Sequence, residues 1–352
     1  MAKTILGVDI GYDNMKLALV RGREVLDAVS VPMPKNLVRD GHIVSDETMG
    51  ELIRTTMREN ELRTNAAAFV IPDETVFVKN VSMPVMTEEQ LIYNLPFEFR
   101  DYITGEIREY VFDYALLSDP PAGRAPVKKK KAGKEAFEET PDGEPEEASK
   151  MELLAVSVPK AYMEETRGIL RKAGLKLEKA APSICSYINL IRLQQEKTGD
   201  NEEEYCILDL GYQAIRMHMY KGDRYVFTRV LDIGLSMLDE VLADAFSVDI
   251  HLAHTYLMTN FEGCQERVEC ETAYSSIAME LMRVLNFYRY SNPDSNITNM
   301  WLCGGGAVIE PLRETIRDSL DLNVYPASDL VPEGDEIEGC NSFVQAIGMA
   351  IQ

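Results

Sequence analysis

Hydrophobic and polar residues alternate in two short stretches of the chain that follow the same pattern. Each stretch is an apolar run ending in Asp-x-Gly, then a polar turn, a second alternating run and a glycine turn. The first covers residues 5–22 and the second covers residues 206–222, and matching positions are 200 residues apart. Alternation interrupted by glycine turns is typical of a β-hairpin, and here we expect the tight first turn of each hairpin to carry the acid. The pattern predicts two similar halves, each starting with a hairpin, and a ligand held between the hairpin turns.

The repeated residues also predict the chemistry of that ligand. They form five pairs: Asp9 and Asp209, Gly11 and Gly211, Tyr12 and Tyr212, Lys16 and Arg216, Gly22 and Gly222. A glycine turn exposes backbone N–H groups to an anion at close range. Carboxylates beside a phosphate repel it unless a divalent cation lies between them, so we expect Asp9 and Asp209 to hold Mg²⁺ through its waters. Lys16 would give a positive charge to a phosphate.

A third glycine turn lies in the second half of the chain. Gly304, Gly305, Gly306 and Ala307 come between a predicted strand, Met300–Cys303, and a predicted helix. Glycines at such a position let the backbone lie against an adenine or a ribose, and the helix begins beside it. Each of these motifs is common alone. Their combination, with an acid-bearing hairpin at the start of both halves, is much more specific.

Strands and helices are predicted to alternate over the rest of the chain. Thr87 and Gln90 have the spacing of a capping box, and Pro96 should kink or end the helix that they begin. The aromatic stretch Tyr93–Tyr102 is predicted to be mostly core, and an exposed face on it could receive a partner peptide. Further strands are predicted at 66–72, 76–81, 110–116, 153–158, 175–177 and 322–324, and helices at 49–57, 162–174, 235–261, 274–290 and from about 342.

One segment, residues 118–150, has almost no apolar residues and is predicted to be a disordered, charged surface loop. Its run Lys128–Lys131 is followed by an acidic run that would neutralise it locally, and a docking role for these lysines stays open. A second acidic break, residues 199–204, is predicted to link the two halves.

Composition restricts the partners. The chain has 352 residues, enough for two domains, and a formal net charge of −22, which disfavours nucleic acid and anionic lipid as partners. No apolar run reaches the about 20 residues of a membrane span, and no secretory signal is predicted. The six scattered cysteines are predicted to be free thiols in a reducing cytoplasm. His251 and His254 have helical spacing but no accompanying ligands, so we interpret them as solvated or packed histidines.

The order of these motifs resembles the actin-like ATPase superfamily and, within it, the PilM-type proteins of type IV pilus assembly. Three motifs carry the superfamily resemblance: Asp9-Ile10-Gly11 with Lys16, Asp209-Leu210-Gly211, and Cys303–Ala307. The segment Val81–Glu98 resembles the PilM-type inserted subdomain, and the segment Glu280–Tyr288 is also similar to that family.

The resemblance implies an α/β, actin-like (ribonuclease H-like) fold, with two lobes built on duplicated sheets, a cleft between them and an inserted α+β subdomain. The expected domains are a first-lobe core (1–73), the inserted subdomain (74–175), a return to the first lobe (176–200), a second lobe (201–328) and a closing segment with a C-terminal helix (329–352). The resemblance also implies that the protein binds ATP and Mg²⁺, and that it binds the N-terminal cytoplasmic tail of a PilN-type membrane protein. The protein would then lie at the inner face of the cell membrane, without entering it, on the inner-membrane platform of a type IV pilus or a related, type II secretion-like machine.

The sequence also departs from the family pattern. Tyr12, Asp13 and Asn14 come after the first glycine, and Tyr212 and Gln213 come after the second, where small or hydroxyl residues are usual. These residues are included in the predicted nucleotide site, but they leave ATP binding and especially hydrolysis open. The oligomeric state, a homo-oligomer included, is open too. The alternatives are a filament-forming division protein of FtsA type and a sugar-kinase-like phosphotransferase, for which no acid beside a polyol pocket is assignable.

Overall fold

A computed structural model describes residues 2–34, 36–39, 42–117 and 150–352. The predicted disordered loop, including Lys128–Lys131, lies outside the described residues, except that Lys150 belongs to a strand and not to the loop.

The described residues form strands and helices in an order close to the predicted one. The strands are Thr4–Ile10 (β1), Asn14–Arg21 (β2), Glu24–Pro32 (β3), Val38–Arg39 (β4), His42–Ile43 (β5), Ala66–Ile71 (β6), Phe77–Pro84 (β7), Tyr110–Leu116 (β8), Lys150–Pro159 (β9), Lys176–Pro182 (β10), Glu204–Leu210 (β11), Ile215–Lys221 (β12), Arg224–Leu231 (β13), Asn299–Cys303 (β14) and Asn323–Pro326 (β15). The helices are Asp46–Glu59 (α1), Glu88–Asn94 (α2), Lys160–Lys172 (α3), Ser183–Thr198 (α4), Leu235–Phe246 (α5), Ile250–Thr259 (α6), Val268–Ser291 (α7), Glu310–Ser319 (α8) and Val344–Ala350 (α9).

The chain divides into two compact units. One unit is Asp73–Thr166, and the other combines Met1–Pro72 with Arg167–Gln352, so that a boundary falls within α3. The larger unit contains two five-stranded sheets, in the orders β10-β6-β1-β2-β3 and β13-β12-β11-β14-β15. We call the first sheet with α1, α4 and α9 the first lobe, and the second sheet with α5–α8 the second lobe.

The two lobe sheets have the same topology. In each, three antiparallel strands come first, and two later strands pair in parallel on the other side of the first strand. Each hairpin ends in a glycine with positive φ, Gly22 (φ 64°) and Gly222 (φ 57°), a conformation that glycine adopts without steric cost. The duplication predicted from the sequence is thus confirmed as two sheets with one topology.

The repeated acids occupy strands and not turns, which corrects the expectation of an acid in each hairpin turn. Asp9 lies in β1 opposite Lys16 of β2, and Asp209 lies in β11 opposite Arg216 of β12. Each acid is therefore paired across its own hairpin with a basic residue.

Glycines allow close packing between α4, α9 and β1 in the first lobe. A Cβ atom on Gly7 of β1 would lie 1.9 Å from the carbonyl oxygen of Ala346 in α9. A Cβ atom on Gly348 of α9 would lie 2.4 Å from the carbonyl oxygen of Ser186 in α4. Because no real Cβ atom comes so close to backbone, these contacts require glycine.

Two helix predictions needed correction, and the predicted effect of Pro96 is confirmed. The segment predicted as one helix over 235–261 is two helices, because Ser247 has a left-handed φ of 54° and Asp249 caps α6 by accepting from the amides of His251 and Leu252. The helix predicted over 274–290 begins earlier, at Val268. The helix that begins after Thr87 ends at Asn94, and a 3₁₀ helix containing Pro96 comes next, as proline requires.

The smaller unit packs α2 on the three-stranded sheet β7-β9-β8. The predicted capping box is confirmed: Thr87 accepts from the Gln90 amide, and the Gln90 side chain accepts from the Thr87 amide. The aromatic stretch is divided between core and surface. Within it and directly beside it, the buried residues are Leu91, Leu95, Phe99 and Ile103, and the exposed residues are Ile92, Tyr93, Phe97 and Tyr102.

All six cysteines are free, as predicted, and only Cys185 is not buried. Across the part of the chain that the structure describes, every helix is too short or too polar to cross a membrane.

Candidate functional site

The first hairpins of the two lobes meet at the ends of β1 and β11. Lys16 Nζ lies 3.3 Å from Asp9 Oδ2, and the charges of both Asp9 and Asp209 act on it. His254 Nε2 of the second lobe lies 3.3 Å from Asp13 Oδ2 in the first hairpin turn. We call the place formed by these five residues the junction. The two predicted acids, whose lobes begin 200 residues apart in sequence, thus share one lysine.

Lys16 is the positive charge of the junction. Burial lowers its pKa, but the neighbouring Asp9 and Asp209 outweigh this effect, and the net pKa is raised above the usual 10.5. The lysine therefore stays protonated although its side chain is only 18% exposed. A protonated amine beside two carboxylates is a group that a phosphate can recruit.

Asp209 is held by residues of the first lobe. Its Oδ2 accepts a hydrogen bond of 2.9 Å from Gln345 Nε2 of α9, and the same amide nitrogen lies 2.9 Å from the hydroxyl of Tyr187 in α4. Burial raises the pKa of Asp209, while Arg216 and Lys16 oppose that rise. Burial also raises the pKa of Tyr187 well above 10, so its hydroxyl stays neutral.

His254 is held between two carboxylates. Its Nδ1 lies 2.9 Å from Asp239 Oδ2 of α5, and Asp239 is completely buried. The hydrogen bonds to Asp13 and Asp239 raise the pKa of His254 to about 10. The Tyr212 hydroxyl also bonds to Asp239, and the Tyr212 ring packs edge-on against the imidazole at 5.6 Å between centroids. His254 is thus a packed histidine, and its two carboxylate partners add a charge that the sequence interpretation did not include.

The triple glycine lies against the end of β11. Gly304 has φ 87°, and a Cβ atom there would lie 2.4 Å from Asp209 Oδ1, while one on Gly306 would lie 2.8 Å from Leu210 Cβ. Gly305 has more room, since its nearest neighbour would be Leu235 Cδ1 at 3.6 Å. Two of the three glycines are therefore required by packing within the chain, and Gly305 is the one with room beside it.

The segment after the triple glycine differs from the predicted helix. Gly305–Val308 form a 3₁₀ turn, and α8 begins only at Glu310, so the glycines do not directly open an α-helix. Ala307 is 2% exposed and belongs to the core of the second lobe, which leaves it almost no surface for contacting a ligand.

Hydrogen bonds fix both hairpin turns, and most of them involve backbone groups. In the first, the Gly11 amide donates to the Asn14 carbonyl at 3.0 Å, and the Asn14 side-chain amide donates to the Asp13 carboxylate. In the second, the carbonyls of Gly211 and Tyr212 accept from the first amides of α5, at 3.1 and 2.9 Å. The start of α5 therefore fixes the second turn.

The predicted site residues are thus unequally placed. The structure brings Asp9, Lys16, Asp209 and Gly304 together, and His254 contacts both Asp13 and Tyr212. The remaining predicted residues lie in the same turns, partly exposed at Gly11, Tyr12, Asn14, Gly211 and Gly305, exposed at Gln213 and buried at Gly306.

Sequence reasoning missed four partners of the predicted residues: His254 as a charged group, Asp239, Gln345 and Tyr187. Asp239 and His254 lie 15 residues apart in different helices, and Gln345 lies 136 residues from Asp209. No local spacing marks such contacts, because only tertiary packing creates them.

The donor set is consistent with a metal held mainly through its ligand and waters. Among residues 2–34, 36–39, 42–117 and 150–352, no group of three or more His, Cys, Asp or Glu could hold a metal ion. Asp9 and Asp209 nevertheless give two carboxylates at one place. Mg²⁺ is commonly bound by one or two carboxylates, with phosphates and waters completing its six positions.

Comparison with known proteins gives a consistent result. The model of the family "Type IV pilus assembly protein PilM" matches residues 7–128 and 139–330. A search of curated proteins found no match.

Several solved structures have the same fold. The chain is similar to the "PilM-PilN type IV pilus biogenesis complex", with 21% identity, 98% of this chain and 97% of that chain covered, and a TM-score of 0.78. It is also similar to the ethanolamine utilization protein EutJ of Carboxydothermus hydrogenoformans, with 13% identity, 100% of this chain and 89% of that chain covered, and a TM-score of 0.58. A further similar structure is MreB 5 of Spiroplasma citri bound to AMPPNP, with 11% identity, 96% of each chain covered and a TM-score of 0.50. These likenesses confirm the predicted actin-like fold.

Proposed function

Because the chain belongs to the family of the type IV pilus assembly protein PilM, we propose that it is a nucleotide-binding scaffold in the cytoplasmic part of a pilus assembly platform. The observation that supports nucleotide binding best is Lys16, a buried cation shared by the repeated acids of both lobes. A ligand that contacts both lobes stabilises one arrangement of them, which is how a nucleotide could control the shape of a scaffold.

The nucleotide phosphates would lie at the junction. Lys16 would bind a phosphate oxygen, and backbone amides of the turns at Tyr12–Asn14 and Gly211–Gln213 would donate further hydrogen bonds. Asp9 and Asp209 would hold the waters of Mg²⁺, which supplies the positive charge that lets phosphates lie beside carboxylates. Gly304 and Gly305, beside Asp209, would lie along the ribose or the adenine.

The proposal is one of binding and not of turnover. Asp13 and Tyr212, polar residues of the two hairpin turns, are engaged by His254 and Asp239. A residue that orients an attacking water needs a hydrogen-bonding group available to it.

The proposed partner is the N-terminal cytoplasmic tail of a PilN-type membrane protein, which would hold this protein at the inner face of the membrane. Support comes from the family and from the likeness to a structure described as a PilM-PilN complex. Within this chain, α2 and the 3₁₀ helix after it present exposed apolar side chains on the smaller unit, with Tyr93 73% and Ile92 59% exposed. An exposed apolar helix face is a common binding surface for a partner peptide.

Thermal shift and calorimetry test the nucleotide half of the proposal. We expect Mg-ATP and Mg-ADP to raise the melting temperature, since a ligand that binds only the folded state stabilises it. Asp209→Asn, which keeps the side-chain size, should abolish the shift. Glu24→Gln, an exposed acid of β3, is the matched control and should keep it. No shift of the wild-type protein with either nucleotide would contradict the proposal.

Fluorescence anisotropy tests the partner half. The probe is a labelled synthetic peptide with the N-terminal cytoplasmic sequence of the PilN-type protein encoded with this chain. Tyr93→Ala combined with Phe97→Ala should weaken binding, while Tyr290→Ala, an 87% exposed tyrosine of the other unit, should not. Saturable binding that the double substitution does not affect would show that the peptide binds to another surface. An absence of saturable binding would contradict the proposed partner.

A further inference from the structure

The contact between Asp13 and His254 joins the two lobes. Asp13 belongs to the turn between β1 and β2, and its carboxylate lies 3.3 Å from His254 Nε2. The other imidazole nitrogen, Nδ1, lies 2.9 and 3.2 Å from the two carboxylate oxygens of Asp239. Both ring nitrogens therefore face carboxylates, one from each lobe.

An imidazole in this position must carry both protons. A neutral ring has one N–H and one lone pair, so one of the two carboxylates would face a lone pair. With both protons present, each nitrogen donates a charge-assisted hydrogen bond. Asp239 is completely buried and also accepts from Tyr212, so the second-lobe side of the contact is fixed. The side chain of Asp13 is 32% exposed, so its carboxylate is the partner that can move away from His254.

We propose that Asp13 and His254 form a latch that holds the first hairpin turn against the second lobe, and that an anionic ligand entering the junction opens this latch. The carboxylate of Asp13 lies in the turn that the proposed nucleotide site uses for phosphate, and two anions do not share such a place. The ligand must therefore displace Asp13 from His254. The opening step rests on the proposed nucleotide binding, whereas the latch itself is a property of the chain alone.

The latch has a definite effect on ligand binding. Part of the ligand's binding free energy is used to break the contact, so the apparent affinity is lower than that of the open form. Substituting Asp13 removes both the contact and a negative charge next to the phosphate. Substituting His254 removes the contact but keeps that negative charge. The two variants thus separate the latch from simple repulsion.

Distance measurement by pulsed electron paramagnetic resonance tests the latch without any ligand. Nitroxides placed by Arg63→Cys in the first lobe and Asp318→Cys in the second use exposed positions, and Cys185→Ser removes the only native cysteine that is not buried. We expect a narrow distance distribution for the otherwise wild-type protein and a broader one for both Asp13→Asn and His254→Gln. Asp27→Asn, an exposed acid of β3, should leave the distribution narrow. Identical distributions for all four proteins would overturn the latch.

Calorimetry with Mg-ADP tests the opening step. An ion pair of this exposure is worth about 1 kcal/mol, or about a fivefold change in affinity. Asp13→Asn should therefore bind about fivefold more tightly than the wild type, His254→Gln should also bind more tightly although it keeps the Asp13 charge, and Asp27→Asn should bind as the wild type does. Tighter binding by Asp13→Asn alone would show charge repulsion and would overturn the opening step. Equal affinity of Asp13→Asn and the wild type would overturn the opening step. Absence of nucleotide binding by every protein would contradict the proposed function and the opening step, and the distance measurement alone would then decide the latch.

Discussion

Lys16 Nζ lies 3.3 Å from Oδ2 of Asp9, its partner across the first hairpin, and the charge of Asp209 from the other lobe acts on the same lysine. Together with Arg216, which acts on Asp209, this lysine therefore balances the charge of two largely buried carboxylates. It cannot be removed without leaving both acids short of a counter-charge, whether or not a nucleotide ever binds.

The first prediction concerns Lys16→Met, which keeps the length of the side chain and removes its charge. We expect the free energy of unfolding in urea at neutral pH to fall by about 1–3 kcal/mol, because buried carboxylates lose their partner. Lys3→Met breaks a more exposed pair with Glu178, at 3.0 Å, and should cost less than about 1 kcal/mol. Equal losses for the two variants would show that the junction gives Lys16 no special role in stability.

The hairpins that carry these residues were predictable, because alternation and glycine turns are local signals. The pattern of residues 5–22 and 206–222 predicts two strands in each hairpin, the antiparallel pairing of these strands and the repeated acid. The placing of Asp9 and Asp209 in strands was missed because the turn was expected to start at the acid. In fact the ladder continues one residue further, to the pairs Ile10–Met15 and Leu210–Ile215.

The break between α5 and α6 shows where local signals were present but not used. No glycine or proline interrupts residues 235–261, and helical spacing of apolar residues continues through them. Asp249 is a good N-cap, however, and the left-handed Ser247 before it ends α5. The break matters for the site because it lets α6 turn His254 back onto Asp239 of α5. That contact depends on packing between two helices and could not be predicted from either one.

The second prediction concerns His254 and alkaline pH. Its pKa in the folded protein is about 10, above the usual 6.5, so the folded state binds the proton more tightly than the unfolded state does. The resulting stability is fully present below pH 6.5 and is lost as the pH rises from 6.5 towards 10. The slope contributed by one proton is at most about 1.4 kcal/mol per pH unit.

Urea unfolding of the wild type and His254→Gln between pH 6 and pH 9 measures this effect. The stability advantage of the wild type should shrink steadily over that range. His251→Gln, an exposed histidine on the same helix, is the matched control and should behave as the wild type does. A constant difference between the wild type and His254→Gln would mean that the histidine is not protonated in this pH range.

The third prediction has the opposite sign and concerns His218, which is completely buried in β12. Its Nδ1 lies 2.8 Å from Thr228 Oγ1, and burial lowers its pKa to about 4. Above pH 6.5 the histidine is neutral in both the folded and the unfolded state, and its contribution to stability is complete. As the pH falls from 6.5 towards 4, the unfolded state binds the proton more tightly than the folded state does, so this contribution is lost. In His218→Asn, stability should therefore fall less steeply on acidification than in the wild type, measured by urea unfolding. Parallel curves would show that His218 takes up its proton without unfolding.

The fourth prediction concerns the close contact of β1 with α9, which carries Gln345 to Asp209. A methyl group on Gly7 would lie 1.9 Å from backbone of Ala346, and neither element has a flexible atom there that could move away. We expect Gly7→Ala to reduce the free energy of unfolding by about 3 kcal/mol. The substitution should also shift α9, and with it the amide that holds Asp209.

Gly168→Ala is the matched control: it lies inside α3, where the nearest atom to a new methyl group would be Asp46 Oδ2 at 3.9 Å. Since alanine is the better helix former, this control should gain about 0.5–1 kcal/mol. Thermal and urea unfolding of the two variants should thus change in opposite directions. If Gly7→Ala were as stable as the wild type, the packing of α9 on β1 could not be as close as the structure gives it, and the link from α9 to Asp209 would need another basis.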